Sequence, residues 1–355
     1  MMHRRTVIGI LLSGMLVTSL GFAVWSGQLY LASRAFSAAA QPEVLGASQS
    51  SAAPGTDLLN ALTTSDPSST PSATLPALDL KKYPILASTA KLPIINARQY
   101  ILYHPDSGKV LLEKDSTKPV AIASTTKLMT ALLSLKYLKP EDFVTVSANA
   151  SQQEPSIMGL HRGEQISVKN LLYGLLLVSG NDAAYALGES VGEALLQDSA
   201  ASSENKVARF VQEMNSQASE LKLANFRFQD PAGLNDEGKG TALDLAKLTA
   251  YLNRHEPLIK EIATTASIDV TDQKGRFKYQ LTNSNRLVAE YQFPGATIGK
   301  TGLTSEAGHC LVASAIQSSN PLVAVVLSTY SQDAAASAQE AKKLLEWGYT
   351  NYQFE

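Results

Sequence analysis

Residues 296–328 read ATIGKTGLTSEAGHCLVASAIQSSNPLVAVVLS. Three short apolar runs, Ala296–Thr301, Cys310–Ile316 and Leu322–Ser328, are rich in Val, Ile and Ala and read as strands. Only turn material separates them: Thr304 to Gly308, then Ser318-Ser319-Asn320-Pro321. Connections this short join antiparallel neighbours, because a parallel pair needs a long crossover. Upstream, Tyr100-Ile101-Leu102-Tyr103 and Val110-Leu111-Leu112 flank Pro105-Asp106-Ser107-Gly108, the pattern of a β-hairpin. Between these strand regions the period changes to that of a helix. Residues 124–138 place Leu128, Met129, Ala131, Leu132, Leu135 and Leu138 on one side. Residues 168–178 are almost continuously apolar. Residues 204–223 carry Val207, Phe210, Val211, Met214 and Leu221 along one face, Asp244 to Leu252 is a further short helix, and Ala334 to Trp347 closes the chain as an amphipathic one. Strands at both ends with helices between them predict an α+β fold: an antiparallel β-sheet flanked by helices, with an all-α subdomain inserted between its strands. No internal repeat is present.

The whole chain has 355 residues, 30 basic and 32 acidic side chains and a net charge of −2. A hydrophobic fraction of 45% supports a real core and excludes global disorder. A slightly acidic chain is ill suited to grasping a nucleic-acid backbone. The single cysteine, Cys310, excludes an intrachain disulfide framework and a Cys-based zinc cluster, and the five histidines show no His-Glu-x-x-His spacing.

Residues 6–33 contain no charged side chain, and His3-Arg4-Arg5 precede them within the short n-region 1–5. As a helix this segment is roughly 42 Å long, more than the ~30 Å hydrocarbon core of a bilayer. The basic flank predicts a cytoplasmic N-terminus, a single transmembrane signal-anchor and an exported body on the outer face of a bacterial cell membrane. A cleaved signal peptide is the competing reading: Ala38-Ala39-Ala40 suits cleavage, although the apolar run exceeds the usual ~7–15 residues, and the body would then be secreted. Residues 34–83 form a Ser/Thr/Pro/Ala-rich linker. Within 41–80, Ser, Thr, Ala, Pro and Gly fill 25 of 40 positions with no aromatic residue, too little apolar surface to offset the entropy of ordering. The folded domain is expected over 84–355.

Ser124-Thr125-Thr126-Lys127 opens the first apolar helix. A serine hydroxyl is a weak nucleophile and needs an adjacent base. The Ser-x-x-Lys spacing puts hydroxyl and ammonium one turn apart on one helical face. The lysine can accept a proton only when neutral, so its pKa must be lowered by burial or by a second cation. The helix N-terminus supplies free N–H groups for a developing oxyanion. Three other matches, at Ser88, Ser203 and Ser219, lack that context; Ser203 reads as a helix cap. A plain capping role is the competing reading of Ser124 as well. Ser179-Gly180-Asn181 follows the second apolar helix, where Ser179 can relay a proton and Asn181 can hold a substrate amide; a turn in which Asn181 or Asp182 caps the next helix is the structural alternative. Lys300-Thr301-Gly302 is the one Lys-Thr/Ser-Gly in the chain and ends a predicted strand. A strand edge with a cation, a hydroxyl and a glycine can dock an extended peptide, and Lys300 can neutralise a carboxylate and disfavour protonation of Lys127. Gly188-Glu189-Ser190-Val191-Gly192 fits a nucleophile elbow but lies in a helical pattern, whereas the elbow requires a strand before its serine.

Taken in order, Ser-x-x-Lys at 124, Ser-x-Asn at 179 and Lys-Thr-Gly at 300 resemble the signature of penicillin-binding proteins and serine β-lactamases. From about Ile94 to Tyr349 the chain resembles the D-alanyl-D-alanine carboxypeptidases among the low-molecular-weight penicillin-binding proteins. Ala123–Thr130, Ser179–Ala183, Phe228–Leu234, Asn283–Leu287 and Lys300–Thr304 with Ala307-Gly308 carry the likeness. The resemblance implies a transpeptidase/β-lactamase-like fold and an acyl-enzyme mechanism on peptidoglycan stem peptides. Ser124 would attack the carbonyl between two terminal D-alanines, Lys127 would take its proton, Ser179 and Asn181 would support proton transfer and hold the substrate amide, and Lys300, Thr301 and Gly302 would face the terminal carboxylate. The backbone N–H groups of Ser124 and Leu303 would form the oxyanion hole. β-Lactams would acylate the same serine and be released slowly; no metal or organic cofactor is implied. Two departures stand out. The chain leaves no room for the second β-rich domain and C-terminal amphipathic helix common in the family, and no arginine follows Arg286 to help hold a carboxylate. A D,D-endopeptidase cutting cross-links is therefore the nearest rival. A β-lactamase is disfavoured by the lack of a Glu-x-x-Leu-Asn segment, and a non-catalytic wall-peptide binder by the presence of Lys127.

Overall fold

The computed structural model describes residues 83–354. The n-region 1–5, the apolar segment 6–33 and the linker up to residue 82 lie outside the described residues. The strands are β1 Ala97–His104, β2 Lys109–Lys114, β3 Ser267–Thr271, β4 Lys278–Thr282, β5 Ala296–Thr304, β6 Gly308–Gln317 and β7 Asn320–Thr329. The helices are α1 Lys127–Tyr137, α2 Val168–Leu176, α3 Asn181–Leu196, α4 Ser203–Glu220, α5 Ala242–His255, α6 Pro257–Ala263, α7 Arg286–Ala289 and α8 Ala336–Asn351.

The chain ends build one antiparallel sheet of five strands in the order β5-β6-β7-β1-β2. The period-2 alternation of a buried strand sorts its side chains to two faces. From β7, Val323, Val325 and Leu327 join the larger core, whereas Leu322, Ala324 and Val326 face α8 with Leu344 and Leu345. Tyr349 of α8 donates its hydroxyl proton to Ala315 O at 2.8 Å, tying this helix to the sheet. α5 covers the opposite face, packing on β7 and β1.

The inserted subdomain is helical, as the spacing predicts, with three short strand pairs added: Val120–Ala121 with Lys239–Gly240, Phe143–Thr145 with Gln165–Ser167, and β3 with β4. The β3/β4 hairpin was not anticipated. Its signal is brief: Ile268 and Val270 alternate with polar residues opposite Tyr279 and Leu281. At the centre lies α1, where every residue from Lys127 to Ser134 is buried. A helix apolar all round belongs in the interior, and α2, α3, α4 and α5 surround this one.

Three local expectations are corrected. The predicted helix over 124–138 is a 3₁₀ turn, Ala123–Thr126, that passes into α1. Ser202, not Ser203, caps α4, its hydroxyl accepting from Asn205 N at 3.2 Å. Neither Asn181 nor Asp182 is the cap of α3; that position is Gly180, and the side chains are used elsewhere.

The elbow-like Gly188–Gly192 stretch is mid-helix in α3, and Ser190 donates its hydroxyl proton to Ala186 O within that helix. Its glycines serve packing. A Cβ on Gly192 would lie 2.0 Å from Lys206 O, where α3 crosses α4. Gly192→Ala is expected to push these helices apart and destabilise the fold by about 1–3 kcal/mol. Equilibrium urea unfolding measures this; an unchanged midpoint would show that the crossing is not close-packed.

Candidate active site

Ser124 sits on the 3₁₀ turn and Lys127 begins α1, so hydroxyl and amine lie side by side: Lys127 Nζ is 2.7 Å from Ser124 Oγ. The lysine is fully buried. Its other two partners are carbonyl oxygens, Asn181 Oδ1 at 2.8 Å and Ala232 O at 2.8 Å. Carbonyl oxygens only accept, and a neutral amine has two N–H donors and one lone pair. As an ammonium the group donates to all three; once neutral, it keeps two N–H groups for Asn181 and Ala232 and turns its lone pair to Ser124, the one partner able to give a proton.

Burial drives the Lys127 pKa down to about 7, against the opposing pull of the Asp230 and Asp182 carboxylates. Those acids raise it but do not touch it. All four N–H groups that Asp230 accepts come from its own loop, Ala232, Gly233, Leu234 and Asn235, at 2.6–3.2 Å. This arrangement aims the Ala232 carbonyl at Lys127. Thr130 of α1 fastens the same loop, donating to Pro231 O at 2.6 Å. Gly233, at φ +76°, lets the loop press on the nucleophile turn, since a Cβ there would lie 1.9 Å from Ala123 O. Asp182 likewise spends its carboxylate on the N–H groups of Met158, Gly159 and Leu160, all at 2.8–3.0 Å.

The second and third motifs converge on this pair. Ser179 lies between α2 and α3 in the left-handed region, φ +62°, a conformation that costs a non-glycine residue of order 1 kcal/mol and here turns its hydroxyl into the cleft. Its Oγ accepts from Lys300 Nζ at 2.8 Å. Lys300, on the edge strand β5, is buried and donates also to Thr301 O at 2.9 Å, with Thr301 Oγ1 at 3.4 Å. Burial, and then the neighbouring charge of Lys127, holds the Lys300 pKa well below that of an ordinary lysine. Two buried amines with no carboxylate partner hold fewer than two protons at neutral pH, since each charge disfavours the other. Gly302 is the point where β5 meets the nucleophile turn: a Cβ there would lie 3.2 Å from Ile122 O and 3.3 Å from Ser124 N. Leu303 follows it on the strand with its side chain exposed. Asn181 joins its backbone N–H to Ser156 O at 2.7 Å and one amide hydrogen to Glu154 O at 3.2 Å, which fixes its carbonyl toward Lys127.

All residues singled out from the three motifs thus meet in one cleft. Sequence reasoning gave no role to Asp230 or Thr130, and to Asp182 only that of a helix cap. The Asp-Pro-x-Gly spacing at 230–233 carried a signal for the first, because Asp followed closely by Gly is turn chemistry that gathers backbone N–H groups.

A family model described as D-alanyl-D-alanine carboxypeptidase matches residues 86–331. The chain belongs to the D-alanyl-D-alanine carboxypeptidase family. It is 35% identical over 263 residues to the D-alanyl-D-alanine carboxypeptidase DacF of Bacillus subtilis, a match covering 72% of this chain and 63% of that protein. The chain thus spans a little under two thirds of that relative. It is 32% identical to a D-alanyl-D-alanine endopeptidase of Pseudomonas aeruginosa, over 68% of this chain and 75% of that one. Among solved structures it is similar to the Streptomyces K15 DD-transpeptidase, with a TM-score of 0.66 at 27% identity, covering 74% of this chain and all of that chain. The α+β fold with its antiparallel sheet is the fold of these family members.

The Lys127 environment fixes a pH dependence. An amine whose folded pKa is depressed destabilises the fold fully below about 7, and the penalty fades as pH rises toward the ~10.4 of an unfolded lysine. Acylation follows the neutral form in the same sense. Its rate with a chromogenic penicillin is expected to rise with pH through a midpoint near 7. Lys127→Arg, which stays protonated, is expected to lose about 10²–10⁴-fold at every pH along with that inflection. A wild-type rate that is flat across the neutral range contradicts the assignment.

Proposed function

We propose that this protein is a serine D,D-carboxypeptidase that removes the terminal D-alanine from peptidoglycan stem peptides through an acyl-enzyme. The observation that carries the reading is the uncharged partner set of a fully buried Lys127, which leaves Ser124 as the only proton donor at the amine. Family membership supplies the substrate class.

Ser124 Oγ attacks the carbonyl carbon as its proton passes to Lys127 Nζ. The backbone N–H groups of Ser124 and Leu303 receive the oxyanion. The C–N bond then breaks, and the leaving amine takes a proton delivered from Lys127 by way of Ser179. Water hydrolyses the ester with Lys127 again as base, which restores Ser124 and frees the shortened peptide. Asn181 holds the substrate amide with its remaining N–H, while Lys300, Thr301 and Gly302 line the strand edge that receives the leaving residue. β-Lactams enter the same acylation step and leave slowly. No step calls for a metal or an organic cofactor.

A second reading, cleavage of cross-links by a D,D-endopeptidase, is favoured by the lack of any arginine after Arg286 and by the similarity to the Pseudomonas aeruginosa endopeptidase. We also propose that residues 6–33 anchor the protein in a bacterial cell membrane with the catalytic domain on the extracytoplasmic side, on the strength of their charge-free length and basic flank. Among the described residues no helix is long and apolar enough to cross a membrane.

Ser124→Ala is expected to abolish covalent labelling by fluorescent penicillin, while Ser190→Ala leaves it unchanged; labelling that persists without the Ser124 hydroxyl sinks the nucleophile. Mass analysis of purified muropeptides incubated with the protein is expected to show loss of one alanine from pentapeptides. Dimers split into monomers, with the pentapeptide ends left intact, would transfer the assignment to the endopeptidase.

A further inference from the structure

The segment Asn283-Ser284-Asn285 reaches the cleft without touching Ser124 or Lys127. Ser284 Oγ lies 2.8 Å from Thr301 Oγ1. Its backbone is held from three directions. Ser284 N donates to Leu177 O at 2.8 Å, two residues before Ser179. The buried Asn283 side chain donates to Ala263 O and Thr265 O at 3.0 and 2.9 Å. The buried Asn285 amide rests on β5 at Gly299, where a Cβ would come within 2.2 Å of its nitrogen, and its oxygen accepts from Leu287 N at 3.1 Å. Ser284 is thus an exposed hydroxyl on a fixed stretch of backbone, joining the Ser179 corner to the strand edge.

What this hydroxyl faces matters for the leaving residue. The nearest guanidinium in sequence, Arg286, is turned away and paired with Glu290 at 3.0 Å. The Lys300 amine is buried and already donates to Ser179 and to Thr301 O. Beside it at the strand edge stand two neutral hydroxyls, the exposed Ser284 and the half-buried Thr301. A hydroxyl prefers a carboxylate oxygen to an amide carbonyl only by about the strength of one charge-assisted hydrogen bond, whereas a fixed guanidinium binds a carboxylate far better, with a full charge and two such bonds.

We propose that Ser284 is a specificity-determining residue: with Thr301 it presents a neutral hydroxyl pair to the terminal group of the leaving residue, so that a carboxamide or a continuing peptide is accepted there within about tenfold of a free carboxylate. The inference rests on the peptidase reading above and defines its substrate class.

The test compares kcat/KM of the full chain on an N-acylated tripeptide ending in D-alanyl-D-alanine with that on the same peptide as its C-terminal carboxamide. The wild-type ratio of carboxylate to carboxamide is expected to stay within about tenfold, the scale of one charge-assisted hydrogen bond. Ser284→Arg is expected to raise that ratio by about tenfold or more, chiefly through KM for the carboxylate peptide. A merely structural role would lower both activities and leave the ratio unmoved, so an unchanged ratio in a folded Ser284→Arg protein overturns the proposal. A wild-type ratio above about a hundredfold overturns it whatever the variant does. A protein that penicillin acylates but that cleaves neither peptide overturns the peptidase reading and this inference together.

Discussion

The structure turns on one buried amine. Lys127 has no carboxylate to hold its proton and three uncharged partners to orient it. Burying an ammonium without a counter-charge is costly, and a lysine answers by releasing the proton rather than by moving. The fold keeps that situation in place. α1 is enclosed from Lys127 to Ser134, which keeps bulk water off the amine at its first residue. The two acids close enough to rescue it, Asp230 and Asp182, are occupied by backbone N–H groups. Their charges temper the shift to about 7, which leaves a base matched to neutral pH rather than one permanently stripped of its proton.

Everything around Lys127 is a device for close approach. Gly233 brings the Ala232 carbonyl in, and Gly302 brings the edge strand against the nucleophile turn; a methyl group at either position would meet backbone atoms. Ser179 accepts a left-handed backbone to meet the Lys300 amine. Ser179 bonds Lys300, and the charge of Lys127 helps hold the Lys300 pKa down, so the helical subdomain and the sheet are coupled electrostatically across the cleft.

Much of this was legible in the sequence, and the exceptions share a cause. The sheet was readable because β5, β6 and β7 are short apolar runs split by turn residues, and α1 and α2 because their periodicity is dense. The motifs were readable because Ser124–Lys127 spans one helical turn and because the three signatures occur in order. The β3/β4 hairpin was not, since two alternating apolar residues per strand do not stand out from a loop. Neither was the work of Asp230, Asp182 or Ser284. Asp182 and Ser284 act on partners that chain folding alone brings near, the segment at 158–160 and Thr301, whereas Asp230 works on its own loop, where the turn signal was present and passed over. The capping of α4 slipped by one residue because Ser202 and Ser203 are adjacent and equally suited to the role.

The most direct test of the central claim is the ionisation of Lys127 itself. In protein carrying ¹⁵N-labelled lysine, with the resonance assigned by comparison with Lys127→Arg, the Nζ chemical shift of the uninhibited protein is followed against pH. The account predicts that this nitrogen titrates near 7. A Lys127 that stays protonated up to the ~10.4 of an ordinary lysine would contradict it.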